Sequence, residues 1–185
     1  NNINPYPHSF KILNDINDLL QVKKSNFKKQ IQTAGRIISF RRMGKVSFCH
    51  IQDNHSKIQI YLKSQLLHNN SYDLIVKNLD IWDIVGIKGD LFYNKTNELS
   101  VKASNIILLS KNLRPLTNIK EKEGELFFAF EDKELKYRNR HLDLIINKNV
   151  KDIFTKRSEL IKSIRQFLDD ATYIEVETPI LQSLY

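Results

Sequence analysis

Residues Gln30 to Leu62 read QIQTAGRIISFRRMGKVSFCHIQDNHSKIQIYL, and the fold follows from this stretch. Ile31 to Ile38 and Lys45 to Gln52 are rich in β-branched and aromatic residues, and Arg41-Arg42-Met43-Gly44 between them has the composition of a turn. Lys57 to Leu62 alternates strictly, with Ile58, Ile60 and Leu62 on one side and Lys57, Gln59 and Tyr61 on the other. Three strands with one core face are therefore expected.

Asp53-Asn54-His55-Ser56 suggests a hairpin, and a loop of two or four residues pairs Phe48 with an odd-numbered residue, Gln59 or Tyr61. Parity then assigns the faces. Ser47, Cys49 and Ile51 join Ile58, Ile60 and Leu62 inside, while Val46, Phe48 and His50 share the outer face with Lys57, Gln59 and Tyr61. An odd loop or a bulge in the hairpin would invert the assignment. An exposed ring beside a side-chain amide and several cations is what stacking and hydrogen bonding of an unpaired base require. The bland alternative is a surface Phe48 with no role.

The chain has 185 residues, enough for one domain or for a small domain and part of another. Its 41% hydrophobic and 27% charged residues suit a globular protein. No apolar run approaches the roughly 20 residues of a membrane span, and no signal-peptide pattern opens the sequence, so a soluble, intracellular, cytoplasmic chain with no membrane partner is expected. Cys49 is the one cysteine, which excludes an internal disulfide and any cysteine-based zinc site. The histidines His8, His50, His55, His68 and His141 have no metal-ligand spacing, so no metal site is expected. A net charge of +8 favours a polyanionic partner, although the wealth of Asn, Ile and Lys makes part of that charge compositional.

Around the central stretch the elements fall in order. Asn4-Pro5-Tyr6-Pro7 is extended, and Ile12, Ile16, Leu19 and Leu20 predict a short amphipathic helix over an open end of a barrel. Ser64 to Leu79 reads as a helical connection broken at Asn69-Asn70. Ile84 to Tyr93 and Glu98 to Leu109 are further strands around an Asn94-Lys95-Thr96-Asn97 turn, with Gly86 and Gly89 marking a bulge or tight coiling. Three strands, a helix and two strands is the order of an OB-fold, which takes oligonucleotides on its strand 2–3 face. Residues 1–110 are thus read as the barrel domain and residues 111–131 as a linker. Residues 132–185 would be an incomplete α+β domain, with helices over Lys133 to Ile146 and Val150 to Asp169 and a strand over Tyr173 to Ile180. Val150, Ile153, Phe154, Leu160, Ile161, Ile164 and Leu168 form one stripe on the second helix.

These residues carry a resemblance. Asn4-Pro5-Tyr6-Pro7, Ala34-Gly35-Arg36-Ile37, Arg41-Arg42-Met43-Gly44-Lys45 with Ser47-Phe48, Ile51-Gln52-Asp53 and Lys57 to Leu62 resemble the anticodon-binding domain of class II lysyl-tRNA synthetases. Glu98-Leu99-Ser100, Lys111 to Leu116, Tyr137 to Ile145 and Glu175-Val176-Glu177-Thr178-Pro179 continue it, the last resembling class II motif 1. The sequence departs from the family at Trp82, where a small residue is usual, at Asn97 for Gly, Thr117 for Pro and His141 for Tyr.

The resemblance implies tRNA(Lys) as partner, through its anticodon stem-loop. Phe48 would stack on the central uridine, Gln59 would bond its edge, Arg36 would contact the stem-loop and Glu98 would read a neighbouring base. It implies a homodimer through the motif 1 helix and proline-ended strand, with Ile161 and Pro179 in the interface. It implies ligation of lysine to tRNA with ATP and Mg²⁺ by the intact enzyme, while residues 1–185, without motifs 2 and 3, would be inactive alone and hold no catalytic residues. An aspartyl- or asparaginyl-type synthetase, a stand-alone OB-fold single-strand binder and a non-catalytic OB-fold RNA-binding paralogue are the competing readings. An organelle of bacterial origin is the alternative compartment.

Overall fold

A computed structural model describes residues 4, 6–22, 27, 30–54, 56–67, 71–94, 96–114, 119–122, 125–128 and 133–180. The chain forms two compact units, Asn1–Pro115 and Leu116–Tyr185. His55, His68, Asn69, Asn70, Lys95 and Thr117 lie outside the described residues.

The first unit is a closed barrel of β1 (Ile31–Met43), β2 (Val46–Gln52), β3 (Lys57–Lys63), β4 (Ile84–Tyr93) and β5 (Leu99–Ser110), in the order β1-β2-β3-β5-β4 and shut by β1 against β4. This is the expected OB-fold arrangement. The β2–β3 hairpin pairs Gln52 with Lys57 and Phe48 with Tyr61, so four positions make the reversal and the predicted parity holds. Cys49, Ile51, Ile58, Ile60 and Leu62 are buried together with Ile37, Val85, Ile87, Val101 and Ile106. Each such aliphatic side chain contributes about 1.5–3 kcal/mol on leaving water. Burial also pushes the Cys49 thiol up to about 12, which keeps it protonated and inert.

Strand β1 runs to Met43, past the turn expected at Arg41 to Gly44, because its second half is paired with β2 from Ile37↔Ile51 to Met43↔Val46. The reversal is confined to Gly44-Lys45, with Gly44 at φ 63°. The first half of β1 pairs with β4 instead, and a register shift between Ile37 and Ser39 lies at the joint. An extra residue bends the strand and turns its phase by one position. The adjacent Ile37 and Ile38 are consequently both buried. In β4 the glycines mark close approaches: a Cβ on Gly89 would lie 2.2 Å from the Lys102 carbonyl oxygen at a second register shift, and one on Gly86 would meet the Phe10 ring at 2.5 Å.

The N-terminal helix is shorter than its apolar pattern suggests. Helix α1 is Ile16–Gln21, since the N–H groups of Leu13 and Asn14 donate to the Gln32 carbonyl and hold that segment on β1. Ile16 and Leu19 enter the barrel core, whereas Ile12 and Leu20 are exposed. Asp53, in the hairpin reversal, accepts from the Ile16 N–H at 3.1 Å and so satisfies an orphan donor of the helix start. Between β3 and β4 the helical connection is one turn of α2 (Ser71–Leu74) and a 3₁₀ turn, Val76–Asn78.

Trp82, the sole tryptophan, has φ 81°. A bulky residue in this left-handed region is strained. The next residue, Asp83, is fully buried and is satisfied from several directions: its carboxylate accepts from the Asn112 and Asp80 N–H groups, both at 2.8 Å, and pairs with Lys111 at 2.8 Å.

In the second unit, β6 (Ile119–Lys122) and β7 (Glu125–Phe128) pair antiparallel, so the stretch expected to be an irregular linker contains a hairpin. The helical stretch after it is broken at Asn139 into α3 (Lys133–Arg138) and α4 (Arg140–Ile146), and α5 runs Lys148–Asp170. Buried Asp143 ties α4 down by accepting from Arg140 and from the Asn147 amide at 2.6 Å. From Ile153 onward the apolar stripe of α5 is exposed, Ile153 at 65% and Ile161 at 41% among them, while Val150 is half-buried. Residues 173–179 belong to no ladder, against the strand expected there: a strand needs a partner edge, and the described residues of this unit place none beside it.

Lys111 offers a test of the buried carboxylate. Burial acts to lower the Lys111 pKa, but hydrogen bonds and charges from Asp80 and Asp83 outweigh it and leave it raised. A raised folded value means the stabilisation is complete below the ordinary lysine range and is lost as pH climbs through the folded value. Lys111→Met should cost about 1–3 kcal/mol at neutral pH, because it strips a buried charge of its cation. Urea unfolding followed by Trp82 fluorescence should show that deficit, shrinking as pH is taken above the lysine range; a deficit unchanged with pH would assign the loss to packing.

Candidate nucleic-acid interface

The outer face of β2 and β3 is organised in rows across the strands. Arg41, Phe48, Tyr61 and Lys102 stand in register in one row, and Ser39, His50, Gln59 and Ser100 in the next. In the first row Phe48 packs on Tyr61 with ring centroids 5.3 Å apart, and Tyr61 meets the edge of Phe92 at 5.8 Å. Phe48 is half-buried, so part of its ring remains open to solvent for stacking. The exposed cations Arg41 and Lys102 stand in the same row and Lys57 two rows away on the same face, in keeping with a polyanionic ligand.

The second row is a polar network. The Gln59 carbonyl oxygen accepts from Asn94 Nδ2 at 2.9 Å and Ser100 Oγ at 3.0 Å, which occupies both of its lone pairs. Its Nε2 donates to Glu98 Oε2 at 3.1 Å, leaving the second N–H without a partner among the described residues. Glu98 Oε1 in turn lies 3.2 Å from His50 Nε2, and its Oε2 is 3.4 Å from Asn94 Nδ2. A carboxylate accepts about four hydrogen bonds, two on each oxygen, so one acceptor place stays open on Oε1, the oxygen that meets His50. A ring with a donor and an acceptor next to it can hold a base by its face and read it by its edge.

Glu98 is delivered by the β4–β5 turn, and Asn94 builds that turn. Asn94 Oδ1 accepts from the Thr96 N–H at 2.9 Å and the Glu98 N–H at 2.8 Å, while the Asn97 N–H donates to the Asn94 carbonyl. Asn97 sits at φ 60°, a conformation that Asn tolerates better than most residues other than Gly. The departure from Gly at this position therefore keeps a left-handed turn.

Of the four residues singled out from sequence, Gln59 and Glu98 are in direct contact and Phe48 lies two residues along the same hairpin face. Arg36 is farther along the outer face, opposite Gln52, and donates to the Trp82 carbonyl at 3.1 Å. Its half-buried guanidinium has a lowered pKa through desolvation. Sequence reasoning missed Ser39, Asn94 and Ser100 as partners of this network. Asn94 and Ser100 reach Gln59 only through the parallel β3–β5 joint, whose register no local pattern reveals. Ile161 and Pro179 belong to the second unit and lie on exposed segments.

No described helix is long and apolar enough to cross a membrane, and the described residues contain no cluster of His, Cys, Asp or Glu suited to a metal ion.

Comparison with known proteins agrees with the fold. The family model for an OB-fold nucleic acid binding domain matches residues 31–109, the span of the barrel. The model for class II tRNA synthetases (D, K and N) matches residues 132–185. The lysine–tRNA ligase of Azobacteroides pseudotrichonymphae is 41% identical over 98% of this chain and 38% of its own length. That of Fusobacterium nucleatum is 44% identical over 91% of this chain and 33% of its own, and that of Baumannia cicadellinicola 48% over 84% and 29%. The chain thus spans about a third of the length of the curated relatives it matches. A barrel followed in order by a class II segment, aligned with lysine–tRNA ligases along nearly the whole chain, places the protein in the class II lysyl-tRNA synthetase family.

Proposed function

We propose that the barrel binds the anticodon stem-loop of tRNA(Lys) on the outer face of β2 and β3, within a lysine–tRNA ligase that joins lysine to that tRNA using ATP and Mg²⁺ in the cytoplasm. The observation that carries the reading is the solvent-open ring of Phe48 beside the Gln59–Glu98 pair. Phe48 stacks on the central uridine, and the free Gln59 N–H donates to a carbonyl oxygen on its edge. Glu98 accepts from a neighbouring base. Arg36 has donors to spare beyond its bond to Trp82 and contacts the stem-loop. Arg41, Lys57 and Lys102 add attraction that does not depend on sequence.

ATP and Mg²⁺ are proposed for the whole protein on the ground of its family. The polypeptide 1–185 by itself should not activate lysine. Lysine-dependent pyrophosphate exchange by this purified polypeptide, above a blank, would contradict that.

The exposed stripe of α5 is proposed to pair two copies of the whole protein, with Ile161 and Pro179 in the interface. Ile161→Asp should shift the full-length protein towards monomer in analytical ultracentrifugation; an unchanged dimer would place the stripe against its own subunit.

A base stacked on an aromatic ring is worth roughly 1–3 kcal/mol, so Phe48→Ala should weaken binding of the lysine anticodon stem-loop about five- to a hundred-fold. Gln59→Ala should cost less, about two- to tenfold for one hydrogen bond, and should blunt discrimination against cytidine at the centre. Arg41→Ala or Lys102→Ala should weaken all loops alike and flatten the salt dependence. Titration at fixed salt, with circular dichroism as the folding control, separates these effects. Unchanged affinity in folded Phe48→Ala would remove the ring from the site.

A further inference from the structure

We infer that His50 is a positioning residue for base readout: it holds the Glu98 carboxylate as a hydrogen-bond acceptor aimed at a base that carries a ring N–H. This rests on the proposal that the face binds an anticodon loop, and it adds the group that decides what Glu98 can read.

Glu98 projects from a turn and is 47% exposed, so on its own its carboxylate could swing through several rotamers. Three neighbours restrain it. Gln59 Nε2 at 3.1 Å and Asn94 Nδ2 at 3.4 Å hold one oxygen, and His50 Nε2 alone holds the other, at 3.2 Å. A carboxylate only accepts, so His50 must carry a proton on Nε2 to make that bond. The other ring nitrogen, Nδ1, lies 2.9 Å from Ser39 Oγ, and with neutral imidazole the hydroxyl donates to it, selecting the Nε2–H tautomer. Ser39 reaches this position because of the register shift in β1: it stands opposite His50, where uninterrupted pairing from Ile37↔Ile51 would have put the apolar Ile38.

The result is a directed chain from Ser39 through His50 to Glu98, on a face where Gln59 is already oriented by Asn94 and Ser100. With both oxygens restrained, Glu98 presents its open acceptor place in one direction. Uridine offers a ring N–H to such an acceptor, and N3-methyluridine keeps both carbonyls and the stacking face but has lost that donor.

The test uses the full 185-residue chain and anticodon stem-loops carrying uridine or N3-methyluridine at each position flanking the central base. The wild-type chain should prefer uridine at one flanking position. His50→Leu should lower that preference about three- to tenfold, the range for one restrained hydrogen bond, while leaving thermal stability close to wild type because the side chain is 30% exposed and outside the core. His50→Gln, which can still donate to Glu98, should stay within about twofold of wild type. An unchanged preference in folded His50→Leu, an equal loss in His50→Gln, or no preference in the wild type at either flanking position would overturn the proposal. If Phe48→Ala binds the unmodified loop as tightly as wild type, the reading of the face fails first, and that outcome is distinct because it does not involve the methylated loops.

Discussion

The outer face of the barrel hangs from one constraint, the four-position reversal that pairs Gln52 with Lys57. Side chains alternate along a strand, so this pairing decides at once which residues are buried and which face the solvent. A slip of β3 by one residue would turn Ile58, Ile60 and Leu62 outward and forfeit on the order of 5–9 kcal/mol of burial. That is comparable to the whole stability of a small domain. The core thus enforces the register, and the register sets Phe48 over Tyr61 and His50 beside Gln59. The side chains of the outer face are thus positioned by those buried beneath them.

Two local irregularities complete what regular pairing begins. The register shift in β1 lets one strand serve two neighbours and puts a hydroxyl opposite His50. The Asn94 turn, with Asn97 left-handed, carries Glu98 to the edge of the same row. A network built this way has little freedom: the Gln59 amide cannot flip without setting its NH₂ group against the Asn94 donor and its oxygen against the Glu98 carboxylate. The neighbouring cations raise affinity for any polyanion, and the neutral and acidic groups in the row are the ones able to distinguish bases.

The strict alternation of Ile58, Ile60 and Leu62 made the barrel face legible, and the strand–helix–strand order made its architecture legible. What escaped depended on pairing over distance. Arg41 and Arg42 resemble a turn by composition, yet β1 continues through them because β2 supplies a ladder. Ile12 completes a helical pattern, yet its neighbours are held by the Gln32 carbonyl. Val176 and Ile180 suggest a strand, but a β pattern is realised only where an edge receives it. For the candidate site, Phe48, Gln59 and Glu98 were named from a family resemblance, and the hairpin parity supported the first two. Asn94 and Ser100 could not be found that way, since they meet Gln59 across 35 and 41 residues of sequence.

The parallel β3–β5 joint also governs when the face comes into being. Strands β1 to β3 form a meander of near neighbours in sequence. Its closure waits for β4 and β5, and joints between segments so far apart in sequence form slowly. Until they form, Phe48 is present but Glu98 is not beside it. A ligand that spans both therefore binds the shut barrel in preference to the open one and adds its binding free energy to closure. Closure of the barrel and assembly of the candidate site thus depend on the same joint.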